Sequence, residues 1–485
     1  MAGIAGTTAK DNKIVNKILN RIQHRGPKST WVEKGEKATI GCCLLPSEET
    51  AKERVFTKEG NGISVLDGHL YHEDNLHLEA AFLILENYRK FGKKFASYLD
   101  GDFAFAIDDR NDLILGRDYI GSHPLYYGFN NNELYFSSEA KGLVGIVKEI
   151  EELEPGHLFS LKDGVLPYST FFESVPSFKT PQDAAKILKE LLEKAVKRNM
   201  SDGCVDGALL SGGLDSSIIA YTASKYQNPI KTFTIGVSQN GDLPRATEMA
   251  EFIGSSHYWK IFDKQKIENI LPKAIYHLES FEESCVHGAV AHYLTAKFAR
   301  EKGANCLLCG EGADELLGGY HELKQAESNQ EMDNFFDDLM SNAYRTGLQR
   351  LDRSFSAHGI EYRAPFLDRR VVNFCNQIPN EWKIYGPEKI EKWILRKAYE
   401  HDLPNNIVNR RKEPFANGSG VSDIIKDISQ QKSSEFERET SSFQNLDVDW
   451  EFKSPAEFYY YRLFKKFFPD KSYERLVTRW NPLLN

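Results

Sequence analysis

LLSGGLDSSIIA, residues 209–220, sets two glycines, an aspartate and three serines between two apolar runs. The run leading in, VDGALL at 205–210, is short, apolar and partly β-branched, the pattern of a buried strand. The run leading out, SSIIAYTASKY, spaces its apolar residues as a helix does and opens on serines suited to an N-cap. A strand, a tight polar loop and a helix present unpaired backbone N–H groups to an anion. Gly212 and Gly213 let the backbone come close to a phosphate, and Ser211, Ser216 and Ser217 add hydroxyl donors. Asp215 would repel phosphates unless a cation lies between, which points to Mg²⁺. The Lys-Ser/Thr pair that closes a Walker loop is missing.

The full S-G-G-L-D-S-S after a strand resembles the pyrophosphate-binding loop of the N-type ATP pyrophosphatases, which cleave ATP between its α and β phosphates. A second glycine–acid loop, CGEGADELLGGY at 309–320, again follows an apolar run. In a doubly wound sheet ligands gather at the carboxyl ends of the strands, so both loops are expected to face one crevice. There Asp314 shares Mg²⁺ with Asp215, and Glu311 orients or deprotonates an incoming amine. A third cluster, NRRKEPFANGSG at 409–420, offers Lys412 as a cation for charge developing on a phosphate or oxyanion.

Around these blocks the texture divides. Up to about residue 170, short alternating segments such as KATIGCCLL, GISVLDGHLY and DFAFAIDD predict packed antiparallel sheets. From about 180, strands alternate with long helical patterns, which predicts a parallel sheet, and after about 340 the chain reads as mostly helical. SVPSFKTPQ at 174–182 marks the boundary, giving units 1–172 and 180–485. Residues 431–445 read as a mobile polar loop, and FYYYRLFKKFFP, 458–469, as a packed helix. A net charge of −9 gives no pull toward nucleic acid. No apolar run reaches the ~18 residues of a membrane span. Seven cysteines without framework spacing fit a reduced, cytoplasmic protein, and Cys306-x-x-Cys309, lacking a second pair for zinc, reads as packing.

Together the three blocks resemble the asparagine synthetase family, including its β-lactam-forming relatives. TFTIGV, DLPRATEMAEFIGSSHY, SFSAHGIEYRAPFLD, EKWILRKAYEHDLP and FYYYRLFKKFFP agree with it. MAGIAG, QHRGP, LDGDFAFAI, GRDYIGSHPLYYG and FSSEAKGL resemble the family's class II glutaminase domain. The resemblance implies an α+β, Ntn-hydrolase-like antiparallel sandwich followed by an α/β parallel sheet of adenine-nucleotide alpha hydrolase-like type with a helical extension. It implies that MgATP adenylates a carboxylate, releasing pyrophosphate, and that an amine then displaces AMP. By the same resemblance Ser211, Gly212, Gly213, Asp215, Ser216 and Ser217 hold pyrophosphate, while Leu209, Ile235 and Gly310 line the adenosine site. Asp314 helps hold Mg²⁺, Glu311 and Lys412 serve the two transition states, and a homodimer is a family-level expectation.

The chain also departs from the family. The family's nucleophilic cysteine after the initiator methionine is Ala2 here, and an arginine of its glutaminase site is Leu44. The segment that builds the oxyanion hole reads Asp67-Gly68-His69-Leu70-Tyr71-His72, and an ionised Asp67 cannot donate to an oxyanion. The acidic residue that grips the substrate amine aligns with His77. These changes predict a first domain inert as a glutaminase, with Arg25 kept as structure. His69, His72 and His77 make only a weak metal pattern. The family's acceptor segment appears as Ser284-Cys285-Val286-His287-Gly288-Ala289, so His287 replaces an arginine that helps recognise aspartate, and Arg350 is left as the candidate for that work. Retained Glu311, with Ser354 where β-lactam-forming enzymes have a glutamate, favours ammonia or a separate amine over ring closure.

The expectation is an ATP-dependent amide-forming ligase taking a small carboxylate, with ammonia or an amine as donor, the ammonia free or supplied by a separate glutaminase. An asparagine synthetase, ammonia-dependent or carrying an engineered Ala2, and a non-catalytic nucleotide-binding scaffold are the alternatives.

Overall fold

A computed structural model of the protein describes residues 2–45, 52–71, 79–109, 112–168, 174, 176–439 and 450–479. Two six-stranded antiparallel sheets form the first half. One runs, edge to edge, Glu151–Glu152, Tyr126–Asn130, Glu133–Ser137, Gly3–Thr7, Thr39–Leu44 and Ser29–Lys34. The other runs Gly164–Pro167, His157–Ser160, Asp112–Arg117, Gly101–Asp109, Gly62–Leu70 and Phe56–Glu59. Alternation decides what each face meets. Ile4, Ile40 and Cys42 of the first sheet pack with Val65, Ala104, Ala106 and Leu115 of the second. Facing outward, Ala5 and Cys43 meet helix Asn12–Arg21, whose start Asp11 caps by accepting from Lys13 N–H at 2.7 Å. On the far side Leu66, Phe103 and Phe105 meet helix Ala80–Phe91. The resulting helix–sheet–sheet–helix stack is the Ntn-hydrolase-like sandwich.

A second half follows helix Pro181–Met200, which Thr180 and Asp183 close with a reciprocal capping box. Its parallel sheet has five strands in the order Ser256–Ile261, Lys231–Gly236, Gly207–Leu209, Cys306–Leu308 and Glu361–Arg363. The chain leaves the central strand toward one edge, then returns to add Cys306–Leu308 on the other side. The strand order therefore reverses between Gly207–Leu209 and Cys306–Leu308, which is where a crevice opens at the carboxyl ends. Helices Leu214–Ser224, Asp242–Phe252, Lys264–Leu278 and Glu283–Glu301 make the crossovers, and shorter helices after Arg363 form the extension. This is the adenine-nucleotide alpha hydrolase-like sheet.

The halves share apolar packing: Ala5, Val15, Ile18 and Tyr126 belong to one buried cluster with Leu188, Ile218, Phe233 and Leu351. Cys306 and Cys309 are buried free thiols. No helix among the described residues is long and apolar enough to cross a membrane. Two local expectations give way. Helix Leu214–Ser224 is capped by the backbone of Gly213, because Ser216 and Ser217 fall inside its first turn. Residues 431–439, expected as loop, end helix Val421–Glu439, anchored earlier by buried Ile425 and Ile428; residues 440–445 lie outside the described residues. Polarity alone does not separate a solvated helical end from a loop. Helix Pro455–Lys465 packs through Phe458, Tyr460 and Phe464.

Candidate active site

The two glycine loops meet at the point of strand reversal. A Cβ on Gly310 would lie 2.9 Å from Asp215 Cβ and 3.0 Å from Ser216 N, so only glycine lets the loops touch. Gly212 has φ +68°, and a Cβ there would sit 2.6 Å from Ala246 N; this glycine serves close packing on helix Asp242–Phe252. Gly213 is different: its only neighbour would be Ser211 Oγ at 3.2 Å, which leaves its face open to a ligand. Ser211 and Ser216 hydroxyls, 3.1 Å apart, brace the turn, and Gly213 N–H donates to Ser211 Oγ at 3.3 Å. The first-turn N–H groups of the following helix have no acceptors within the helix and suit an anion.

One cavity collects Leu209, Ser211, Gly213, Asp215, Ser216, Gly310, Glu311, Asp314 and Lys412 of the expected residues. Gly212, Ser217 and Ile235 do not line it; Ser217 and Ile235 are fully buried. Phe233, two residues earlier on the strand face of Ile235, takes a place in the wall instead. Lys392 is the central residue that sequence reading missed. Its ammonium lies 2.5 Å from both Asp215 Oδ2 and Asp314 Oδ1. Lys412 also pairs with Asp314, and stands 3.7 Å from Asp215. Burial would raise the Asp314 carboxyl, but Lys392 and Lys412 hold it well below the usual carboxylate range. Lys412 is pushed down by burial and up by Asp314 and Asp215, which win. Glu391 accepts from Lys412 N–H at 3.0 Å and from Arg396 Nη2 at 2.9 Å, tying the 408–412 segment to Lys392.

Asp215 Oδ1 is buried with no hydrogen-bond partner, and both aspartates face the same two ammonium groups, those of Lys392 and Lys412. Hard carboxylate oxygens arranged this way fit Mg²⁺. The cavity is also lined by Phe233, His292, Thr295 and Phe415, none of which the sequence singled out. His292 stacks on Phe415 with ring centres 5.4 Å apart, and burial pushes its pKa down to about 3. A neutral imidazole stacked on Phe415, with Phe233 also in the lining, gives apolar wall for a flat heterocycle.

Glu311 accepts from Arg350 Nη2 at 2.9 Å, so Arg350, which does not itself line the cavity, stands directly behind a residue that does. The other expected acceptor residues do not line it either. His287 is buried with its ring nitrogens 3.1 Å from the Tyr460 hydroxyl and 2.9 Å from the Ser422 hydroxyl, and burial lowers its pKa to about 4. It is a neutral pin between helices, because Glu283–Glu301 is buried on nearly every side. Ser284 donates to Glu282 at 2.7 Å, within the turn that starts the same helix.

In the first half, Ala2 and Leu44 are buried among apolar side chains. Arg25 Nη2 donates to Asp67 Oδ2 at 2.8 Å, and Arg25 Nε donates to the Ala2 carbonyl at 3.2 Å. Burial would raise the Asp67 carboxyl; Arg25 and His123 bring it down to about 2, so Asp67 is ionised and can only accept. His69 is buried 3.8 Å from Asp102 and from Glu361, and burial together with Arg363 keeps it neutral. His72 and His77 lie outside the described residues.

Residues 187–345 and 338–472 match the family described as Asparagine synthase, and residues 1–189 match a Glutamine amidotransferase domain. The glutamine-hydrolyzing asparagine synthetase 2 of Oryza sativa subsp. japonica is 30% identical, covering 99% of this chain and 86% of that protein. Asparagine synthetase 2 of Arabidopsis thaliana, also glutamine-hydrolyzing, is 31% identical over 99% of this chain and 88% of its own length. Among solved structures, NMN synthetase from Francisella tularensis is similar at 14% identity and a TM-score of 0.28, covering 63% of this chain and 100% of that one, a likeness too weak to carry any argument.

Proposed function

Because the chain belongs to the asparagine synthase family, and is thereby an AMP-forming carbon–nitrogen ligase, we propose that it adenylates a small carboxylic acid and passes it to ammonia or an amine without hydrolysing glutamine itself. The observation that carries this reading is the convergence of Glu311, Asp314, Lys392 and Lys412 on the cavity between the two glycine loops. In it, a substrate carboxylate oxygen attacks the α-phosphorus of ATP and pyrophosphate leaves. Ser211, Ser216 and the open face of Gly213 receive the departing phosphates, and Lys392 and Lys412 oppose their charge. Asp215 and Asp314 would hold Mg²⁺, which when bound neutralises phosphate charge. The amine nitrogen then attacks the acyl carbon, AMP departs, and Glu311 takes the amine proton. We propose that 1–172 and 180–485 are the two units of the chain.

Ionised Asp67, held against Arg25, supports the absence of glutaminase chemistry, since the position offers an acceptor where an oxyanion needs donors. One observation favours plain asparagine synthetase: Arg350, beside Glu311, is a cation able to take the second carboxylate of aspartate.

Pyrophosphate release with MgATP across a panel of acids, each with ammonium, glutamine or no amine, tests the reading. Turnover with ammonium but not glutamine is expected. Aspartate as the only good acid would select asparagine synthetase, and silence with every acid despite ATP binding would select the scaffold. The Ala2→Cys variant with Met1 removed is expected to release no glutamate from glutamine above background, read by coupled glutamate assay. Restored hydrolysis would mean that Asp67 does not disable the site.

A further inference from the structure

Arg25 does not line the cavity, yet one helix links it to a residue that does. Its guanidinium is fully buried and grips Asp352 with both arms, Nη1 to Oδ2 at 2.8 Å and Nη2 to Oδ1 at 3.0 Å. The same guanidinium also donates to Asp67 at 2.8 Å and to Glu139 at 3.0 Å, both in the first half. Asp352 belongs to helix Gly347–Ser356 of the second half. Two residues earlier on that helix, roughly 200° around its axis, Arg350 donates to Glu311 at 2.9 Å. At the helix start, a Cβ on Gly347 would come within 2.7 Å of Glu311 Oε1. One side and one end of the helix therefore hold Glu311, while the first half holds its back. Arg353 adds to the grip, donating to Asp352 at 2.6 Å and to Glu279 at 2.9 Å. A close-packed interior passes displacement from one face of such an element to the other.

We propose that Arg25 is a positioning residue for amide formation: it fixes helix Gly347–Ser356 through Asp352 and so sets Glu311 against the incoming amine. The first half then serves the ligase as a clamp. Asp67 is part of this arrangement, since its carboxylate orients the guanidinium that Asp352 receives. The inference rests on the role given to Glu311 above.

The test compares Arg25→Met, Arg25→Lys and Asp352→Asn with Arg54→Met. Arg54 spans the same divide, but its partners Glu361 and Asp202 lie outside the helix. For each, amide formation, ATP–pyrophosphate exchange, the KM for ATP and thermal midpoint are measured with the best acid of the panel. Arg25→Met is expected to lower kcat for amide formation at least ~tenfold, with exchange and the ATP KM within ~twofold, because misplacement of one reacting group by about 1 Å is costly. Asp352→Asn should behave likewise, the double variant should be no worse than either single one, and lysine should restore part of the loss. Arg54→Met should lower the thermal midpoint with amide kcat per folded enzyme nearly unchanged. Equal kcat losses in Arg25→Met and Arg54→Met, or none in Arg25→Met and Asp352→Asn, would overturn the inference. If Arg25→Met does not fold, Arg25→Lys and Asp352→Asn decide between the same outcomes. A silent wild type would instead sink the ligase reading and this inference with it.

Discussion

Replacing Lys392 with methionine is expected to lower ATP-dependent pyrophosphate release by about 10²–10³, the scale of losing one preorganised donor to developing negative charge. Lys392 is 1% exposed and its ammonium lies 2.5 Å from each of two carboxylates. Methionine keeps the length and the apolar stem but leaves Asp215 and Asp314 facing each other with Lys412 alone to oppose them. Removing one member of a buried charge group costs about 3–5 kcal/mol, so the thermal midpoint should fall too, and activity must be read per folded molecule. Added Mg²⁺ should recover part of the loss, since a second cation then offsets the bared carboxylates. Full activity in folded Lys392→Met would reduce this lysine to a structural counter-ion.

Glu311→Gln should divide the reaction at a different place. Glutamine keeps the shape and still offers an oxygen to Arg350, whose bond to Glu311 is 2.9 Å, but it cannot accept a proton. Amide formation is expected to fall by about 10²–10⁴, the usual range for a general base, while ATP–pyrophosphate exchange stays within a few-fold. AMP without matching amide would then mark adenylate lost to water. Equal loss of exchange and amide would place Glu311 in the adenylation step instead.

The glycine–acid loops are legible in the sequence because their residue types are scarce in combination and their positions after strands dictate where they point. Asp215, Asp314 and Lys412, spread over nearly two hundred residues, do meet. Lys392 is not legible: in EKWILRKAY it has the look of a cation on an amphipathic helix. Its burial follows from a left-handed backbone, φ 54°, at the helix start, where Asp215 and Asp314 already wait. Alternation assigns Ile235 and Phe233 to the same strand face, but only their depth along the strand puts Phe233 in the cavity wall. His287 misleads for a related reason. A helix buried on nearly every side has no polar stripe from which to read its orientation. In the first half the sandwich is legible because its central alternating strands have one face on the partner sheet and one on a helix.

Val15, Ile18 and Tyr126 lie in the same buried cluster as Leu188, Phe233 and Leu351. A chain built this way cannot shed its first two sheets without opening the interior of the rest to water, at roughly 25 cal/mol for every Å² of apolar surface laid bare. Even without the glutaminase chemistry that we propose it lacks, the first half therefore could not be removed. Its two sheets are ballast for the second half, whatever chemistry their own residues do.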